Sequence, residues 1–199
     1  MKVFVGGIFF ALIFIYVVTG TIDESIRHAI TKFAHYHFPA NEDSRERVIK
    51  LGEDPKYVYN VGCPRMDLIN NELKNNVDLN EIFKTYKGVG EKIDFNQPFL
   101  LVSQHPVTTE FGENRHQIEE TLHALEELAM PTIMLWPNAD AGSDDISKGI
   151  RSYRESKKPK WLQVFKNLPT STYIHLMNNT QCLIGNSSSG VREGAFIGT

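Results

Sequence analysis

Cys182-Leu183-Ile184-Gly185-Asn186-Ser187-Ser188-Ser189-Gly190-Val191-Arg192-Glu193 is the stretch on which the reading of this chain turns. Cys182 to Ile184 is short and apolar and predicts a buried strand end. Three serines and a glycine follow, and then a run compatible with a helix. A strand that breaks into small hydroxyl residues at a helix N-terminus is suited to holding an anion. The first amides of a helix have no partners within it, and the macrodipole places partial positive charge there. Small side chains also let the backbone approach a phosphate. Glu193, one turn in, is placed to accept hydrogen bonds from sugar hydroxyls while the amides face phosphates. An ordinary serine cap accounts for the same local pattern equally well.

Working back from this stretch, strands and helices alternate with short connections from Phe99 onwards. Phe99–Ser103 is a continuous apolar strand suited to burial on both faces. Asn114–Leu128 is an amphipathic helix with Ile118, Leu122 and Leu125 on one side. Thr132–Leu135 is the next strand, Ser143–Glu155 a helix, Leu162–Phe165 a strand, Ser171–Asn178 a helix, and Leu183–Ile184 the final strand. This order predicts an α/β fold with a parallel sheet covered by helices. Ligands in such sheets sit beyond the carboxyl ends of the strands. His105, Asn138 and Ser187 each follow a predicted strand, so three loops are expected to converge on one edge.

The first half is less regular. Ile22–Ala34 reads as a helix capped by Asp23, with Ile26, Ile30, Phe33 and Ala34 as its apolar stripe. A short strand is expected in the "HYHF" segment before Pro39. A second helix starts at Asn41 and ends at Gly52. Tyr57–Val61 alternates and reads as β, Gly62-Cys63-Pro64 as a turn, and Met66–Leu73 as a short helix. Asn75–Gln97 is polar and charged and is the expected domain boundary.

The chain has 199 residues, enough for one large domain or two small ones. A net charge of -3 gives no case for a nucleic-acid partner. Cys63 and Cys182 show no metal spacing, and a reduced setting is the default reading. Val3 to Val18 is apolar apart from two glycines and a tyrosine hydroxyl. It is slightly short for a spanning helix, lacks a good small-x-small cleavage signal, and is longer than most strands.

Four segments carry a family resemblance: "GTIDESIRHAITKFAHYHF" from Gly20, "SQHPVTTEF" from Ser103, "LWPNADAGS" from Leu135 and "CLIGNSSSGVREGAFIGT" from Cys182. Together they resemble the UDP-N-acetylglucosamine 2-epimerase family, and Pro106-Val107-Thr108-Thr109 after His105 is similar to its hydrolysing branch. The resemblance runs from about Val17 or Val18 to the last residue. It implies parallel-sheet Rossmann-like lobes in an incomplete glycosyltransferase-B-like fold, with a cleft between lobes. Three parts are expected: residues 1–18 as a hydrophobic segment (anchor, signal or artefact), 19–97 as the remainder of an N-terminal lobe plus linker, and 98–199 as a partial UDP-binding lobe. The expected reaction is UDP-N-acetylglucosamine and water giving N-acetylmannosamine and UDP, with no metal or redox cofactor. This chain alone is expected to be an inactive or nearly inactive fragment. The alternatives are a hydrolysing 2-epimerase for a UDP-diacetamido-trideoxy sugar, a glycosyltransferase of the same fold, and a membrane-tethered nucleotide-sugar binding fragment. By resemblance the partner is a UDP-sugar, the setting is cytoplasmic and linked to sialic acid biosynthesis, and homo-oligomers are admitted. Membrane association would rest on residues 3–18.

At residue level, Asp23 and Arg27 are spaced to pair across one helical turn. A cap with a surface ion pair explains them as well as catalysis does, but the resemblance places matching positions near the sugar. Asp23 would then assist proton transfer or hold a hydroxyl, and Arg27 would bind phosphate or orient a carboxylate. The resemblance also assigns His105, Asn138, Ser187, Ser188 and Glu193 to the UDP site. A protonated His105 would stabilise charge on departing UDP. His28, His35 and His37 lack a further ligand of suitable spacing, so a packed histidine pair is favoured over a metal site. Lys166 and Leu168 fall near the expected base-binding segment. Asn186-Ser187-Ser188 matches a glycosylation sequon, read as chance.

Overall fold

In the computed structural model the described residues are 10–11, 22–107, 109–110 and 112–199, the side chains of 10, 11, 22, 23 and 82 aside. Apart from the backbone of Phe10–Ala11, the apolar stretch 3–18 lies outside the described residues. No helix among those described is long and apolar enough to cross a membrane. The chain divides into two compact units, Met1–Pro64 and Arg65–Thr199.

In the first unit, β1 (Phe10–Ala11) pairs in parallel with β2 (Tyr36–His37). Helix α1 (Ile22–Phe33) precedes β2, and α2 (Glu42–Lys50) follows it. Asn41 caps α2, its side-chain oxygen accepting from the Ser44 amide at 2.8 Å. Such a cap stabilises by about 1 kcal/mol. Val48 and Val58 form the small buried core. Glu53 accepts from Lys32 Nζ at 2.7 Å and lies 3.3 Å from the buried His37 Nε2. The expected strand over Tyr57–Val61 is absent. Pro55–Tyr57 is a 3-10 turn, and Val58 makes only one isolated parallel bridge, to His37. The expected stripe of α1 is also largely exposed, with Phe33 at 76%.

The second unit begins at the second residue of α3 (Pro64–Glu72), followed by α4 (Leu79–Thr85) and β3 (Val89–Gly90). Then come β4 (Leu100–Ser103), α5 (Asn114–Leu128), β5 (Thr132–Leu135), α6 (Ser143–Lys157), β6 (Leu162–Phe165), α7 (Thr170–Asn179) and β7 (Cys182–Gly185). The strand order is β3-β6-β5-β4-β7, parallel throughout except for the antiparallel β3. This is the α/β, Rossmann-like architecture anticipated from the alternating pattern.

Strand residues alternate between two cores, which is why the strands read as unbroken apolar runs. Leu100, Val102, Met134 and Val164 pack with Ile118, Leu122, Ile146 and Ile150 of α5 and α6. Phe99, Leu101, Ile133 and Phe165 pack with Ile69, Ile174 and Met177 on the other face. Residues 75–97, expected as a linker, belong to this second core. Phe83 stacks on Phe95 with ring centroids 4.6 Å apart and meets Phe165 edge-on at 4.8 Å. Their aromatic content outweighs the polar composition that suggested a boundary.

The deciding stretch also departs from expectation. β7 pairs only with β4 and is an edge strand, so Cys182 is exposed and Leu183 and Ile184 are half-buried. Beyond it, residues 188–197 are helical, but Gly190–Gly194 winds as a π-helix before α8 (Ala195–Ile197). Such segments are rare and recur at functional sites.

Candidate functional site

The carboxyl ends of four parallel strands open on one cavity of about 330 Å³ in the second unit. Ser103 and His105 come from the end of β4, Leu135, Trp136 and Asn138 from β5, Lys166 to Leu168 from β6, and Ser187 and Ser189 from the segment after β7. Thr170 and Tyr173 of α7 and Arg65 of α3 complete the wall.

Hydrogen bonds fix these loops to one another. Asn186 Oδ1 accepts from the His105 amide at 2.7 Å, and Asn186 Nδ2 donates to the His105 carbonyl at 2.8 Å. The Asn138 amide donates to His105 Nδ1 at 3.4 Å, and His105 Nε2 lies 3.4 Å from Ser103 Oγ. An amide donor on Nδ1 requires that nitrogen to be unprotonated, which assigns the proton to Nε2. Burial holds the His105 pKa below the usual 6.5, against a weaker upward pull from Asp140. The free site therefore presents a neutral imidazole near pH 7, not the imidazolium considered from sequence.

A chain of hydroxyls lines the opposite wall. Tyr173 Oη lies 2.7 Å from Ser189 Oγ, which lies 2.9 Å from Ser187 Oγ. Ser187 also satisfies the start of the last helix: its Oγ accepts from the Ser189 amide at 3.4 Å and its carbonyl from the Gly190 amide at 3.1 Å. Those two amides are thus engaged locally, and hydroxyl groups are what the cavity offers an anion here.

Of the residues anticipated from sequence, His105, Asn138 and Ser187 are brought together around this cavity. Ser188 is exposed and is not among its lining residues. Glu193 is buried; its Oε1 accepts from Arg65 Nε at 3.1 Å, and its Oε2 has no partner. Asp23 and Arg27 lie on α1 in the first unit. The Asp23 side chain is outside the described residues, and Arg27 is half-buried, its carbonyl accepting from Thr31 Oγ1. Among the described residues no group of three or more His, Cys, Asp or Glu side chains is placed to hold a metal ion.

Sequence reasoning passed over Arg65, Trp136, Tyr173 and Asn186. Asn186 was readable as the polar residue ending a strand, and Trp136 as the large aromatic just past one. Arg65 and Tyr173 lie on helices, and only tertiary packing brings them to the strand ends.

Known proteins share the sequence pattern and the fold of this chain. The pattern shared by UDP-N-acetylglucosamine 2-epimerases matches residues 17–199. The chain is 32% identical over 177 residues to the UDP-N,N'-diacetylbacillosamine 2-epimerase (hydrolyzing) of Legionella pneumophila, covering 89% of this chain and 44% of that protein. It is 32% identical over 182 residues to the GDP/UDP-N,N'-diacetylbacillosamine 2-epimerase (hydrolyzing) of Campylobacter jejuni, with 90% and 45% covered. The UDP-N-acetylglucosamine 2-epimerase of Neisseria meningitidis is 29% identical over 180 residues, with 90% and 45% covered. The chain thus spans less than half the length of these relatives. A crystal structure of UDP-GlcNAc 2-epimerase from Neisseria meningitidis bound to UDP-GlcNAc superposes with a TM-score of 0.66 at 15% identity, over 85% of this chain and 44% of that one. With the match extending over nearly the whole sequence and the fold shared, the chain belongs to the UDP-N-acetylglucosamine 2-epimerase family.

Proposed function

We propose that this chain contributes the UDP-holding part of a hydrolysing UDP-sugar 2-epimerase. The supporting observation is the convergence of His105, Asn138, Ser187 and Ser189 on one cavity at the carboxyl ends of adjacent parallel strands. In the reaction, a base removes the proton on sugar carbon 2 as the bond from carbon 1 to the diphosphate oxygen breaks, and its electron pair leaves with UDP. Water then adds to the glycal, inverting carbon 2. The cavity residues serve the leaving group. Hydroxyls of Ser187, Ser189 and Tyr173 and the neutral His105 offer hydrogen bonds to phosphate oxygens, and Trp136 offers an apolar surface. Glu193 and Asn138 are proposed nucleotide contacts, with Ser188 beside them at the head of the helix. Asp23 and Arg27 remain proposed for proton transfer and orientation at the sugar.

The diacetamido-trideoxy sugar nucleotide is the favoured substrate, because the two relatives at 32% identity carry N,N'-diacetylbacillosamine in their names, against 29% for the N-acetylglucosamine enzyme. UDP-N-acetylglucosamine is the second reading. Calorimetric titration with UDP, followed by NMR of mixtures with each sugar nucleotide, tests both. UDP binding by the 199-residue chain is the expected result, and whatever turnover accompanies it should favour the diacetamido substrate. Absence of UDP binding at millimolar concentration would sink the proposal, and faster turnover of UDP-N-acetylglucosamine would reverse the order of substrates.

A further inference from the structure

Arg65 occupies the first turn of α3, where the helix dipole disfavours a cation. Helix stability gives no reason for an arginine there. Its Nε is spent on Glu193 Oε1 at 3.1 Å, and the carboxylate it meets is buried, with a side chain 5% exposed. The same oxygen lies 3.8 Å from Arg192 Nη2, so two guanidiniums share one carboxylate. Among the described residues no acceptor pairs with either terminal nitrogen of Arg65. The side chain is 33% exposed and lines the cavity beside His105, Ser187 and Ser189.

With His105 held neutral by burial, Arg65 and Lys166 are the permanent cations among the lining residues. Lys166 is an exposed point charge on a flexible stem. Arg65 is anchored, and a planar guanidinium offers parallel N–H groups that fit two phosphate oxygens at once.

We infer that Arg65, clamped by Glu193 through Nε, uses its two terminal nitrogens to grip the diphosphate of the nucleotide and sets the preference for a diphosphate over a monophosphate. This rests on the UDP reading above. The buried carboxylate orients the guanidinium and prevents it from folding back to solvent. In this arrangement Glu193 Oε1 positions Arg65 for the phosphate contact, and its unpartnered Oε2 is the oxygen left for the nucleotide.

The test is calorimetry of the full chain with UDP, UMP and uridine. Wild type is expected to bind UDP more tightly than UMP. Arg65→Met should weaken UDP binding by about ten- to hundredfold, the range for lost charge-assisted hydrogen bonds, while changing UMP binding far less. Arg65→Lys should recover part of the loss. Because Arg65→Met removes the nearer cation from a buried carboxylate and leaves it Arg192 at 3.8 Å, the double variant Arg65→Met/Glu193→Gln provides a folded control, and its UDP-to-UMP ratio should be equally flattened. Retention of the wild-type ratio in either folded variant overturns the inference. If wild type binds neither UDP nor uridine, the UDP reading itself fails. If wild type binds and only the ratio test fails, Arg65 alone is misassigned.

Discussion

Asn186 and His105 grip each other through both backbone groups of the histidine: the carboxamide accepts from the His105 amide at 2.7 Å and donates to its carbonyl at 2.8 Å. The loop after β7 is thereby locked to the loop after β4, and the imidazole is fixed from its own backbone. Replacing Asn186 by Leu keeps comparable bulk and removes both bonds. The expected cost is about 1–3 kcal/mol in chemical denaturation, with UDP binding weakened by more than this loss of stability alone would cause. Unchanged UDP affinity in Asn186→Leu would show that the lock is irrelevant to the ligand.

Gly185, which ends β7, has φ 131, a conformation that L side chains rarely adopt. An added Cβ there would also run into the carbonyl oxygen of Ser103 on the neighbouring strand. Gly185→Ala is therefore expected to cost at least about 1–3 kcal/mol from strain, with the clash in addition. It should also displace Asn186 from His105. A denaturation midpoint equal to that of wild type would contradict this account.

Burial pushes the His105 pKa below 6.5, the value expected once the chain unfolds. Below 6.5 the unfolded chain binds the proton more readily than the folded one. The contribution of His105 to stability is thus full above pH 6.5 and is lost as pH falls from there toward the folded pKa. Long-range proton–nitrogen NMR should show a neutral ring protonated on Nε2 at pH 7, with a midpoint under 6.5. Addition of UDP should raise that midpoint, since a nearby anion favours the charged form. A midpoint above 6.5 in the free protein would refute the burial argument.

Trp136 and Trp161 both pack against the core between the sheet and α5–α6, but Trp136 also lines the cavity, with the Arg151 guanidinium 5.2 Å from its ring, and Trp161 is not among the lining residues. UDP should therefore change the emission of Trp136 alone. Trp136→Phe is expected to abolish the ligand-dependent fluorescence change and Trp161→Phe to preserve it. The reverse pattern would place the nucleotide elsewhere.

Much of the second unit was legible in the sequence because both faces of its sheet are covered. Unbroken runs such as Leu100–Ser103 and Thr132–Leu135 have few other ways to be buried, and Asn114–Leu128 announces its inner face through Ile118, Leu122 and Leu125. Tyr57–Val61 misled because its β-rich composition has only a single bridge from Val58 to His37 to satisfy it. Around the cavity, residues at strand ends were accessible from topology, as His105, Asn138 and Ser187 illustrate. Arg65 and Tyr173 were not, since nothing in local spacing tells a helix which strand end it will lean over. Glu193 was singled out for its chemistry, but its burial against Arg65 depends on a pairing across 128 residues.

The aromatic contacts of Phe83 bear on how this protein is best dissected. Phe83 rests on both Phe95 and Phe165, so the polypeptide ahead of β4 serves as a roof over one side of the sheet. A recombinant piece trimmed to begin at residue 98 would strip that roof and leave Phe99 and Phe165 facing water, whereas one beginning at Arg65 would keep its interior sealed.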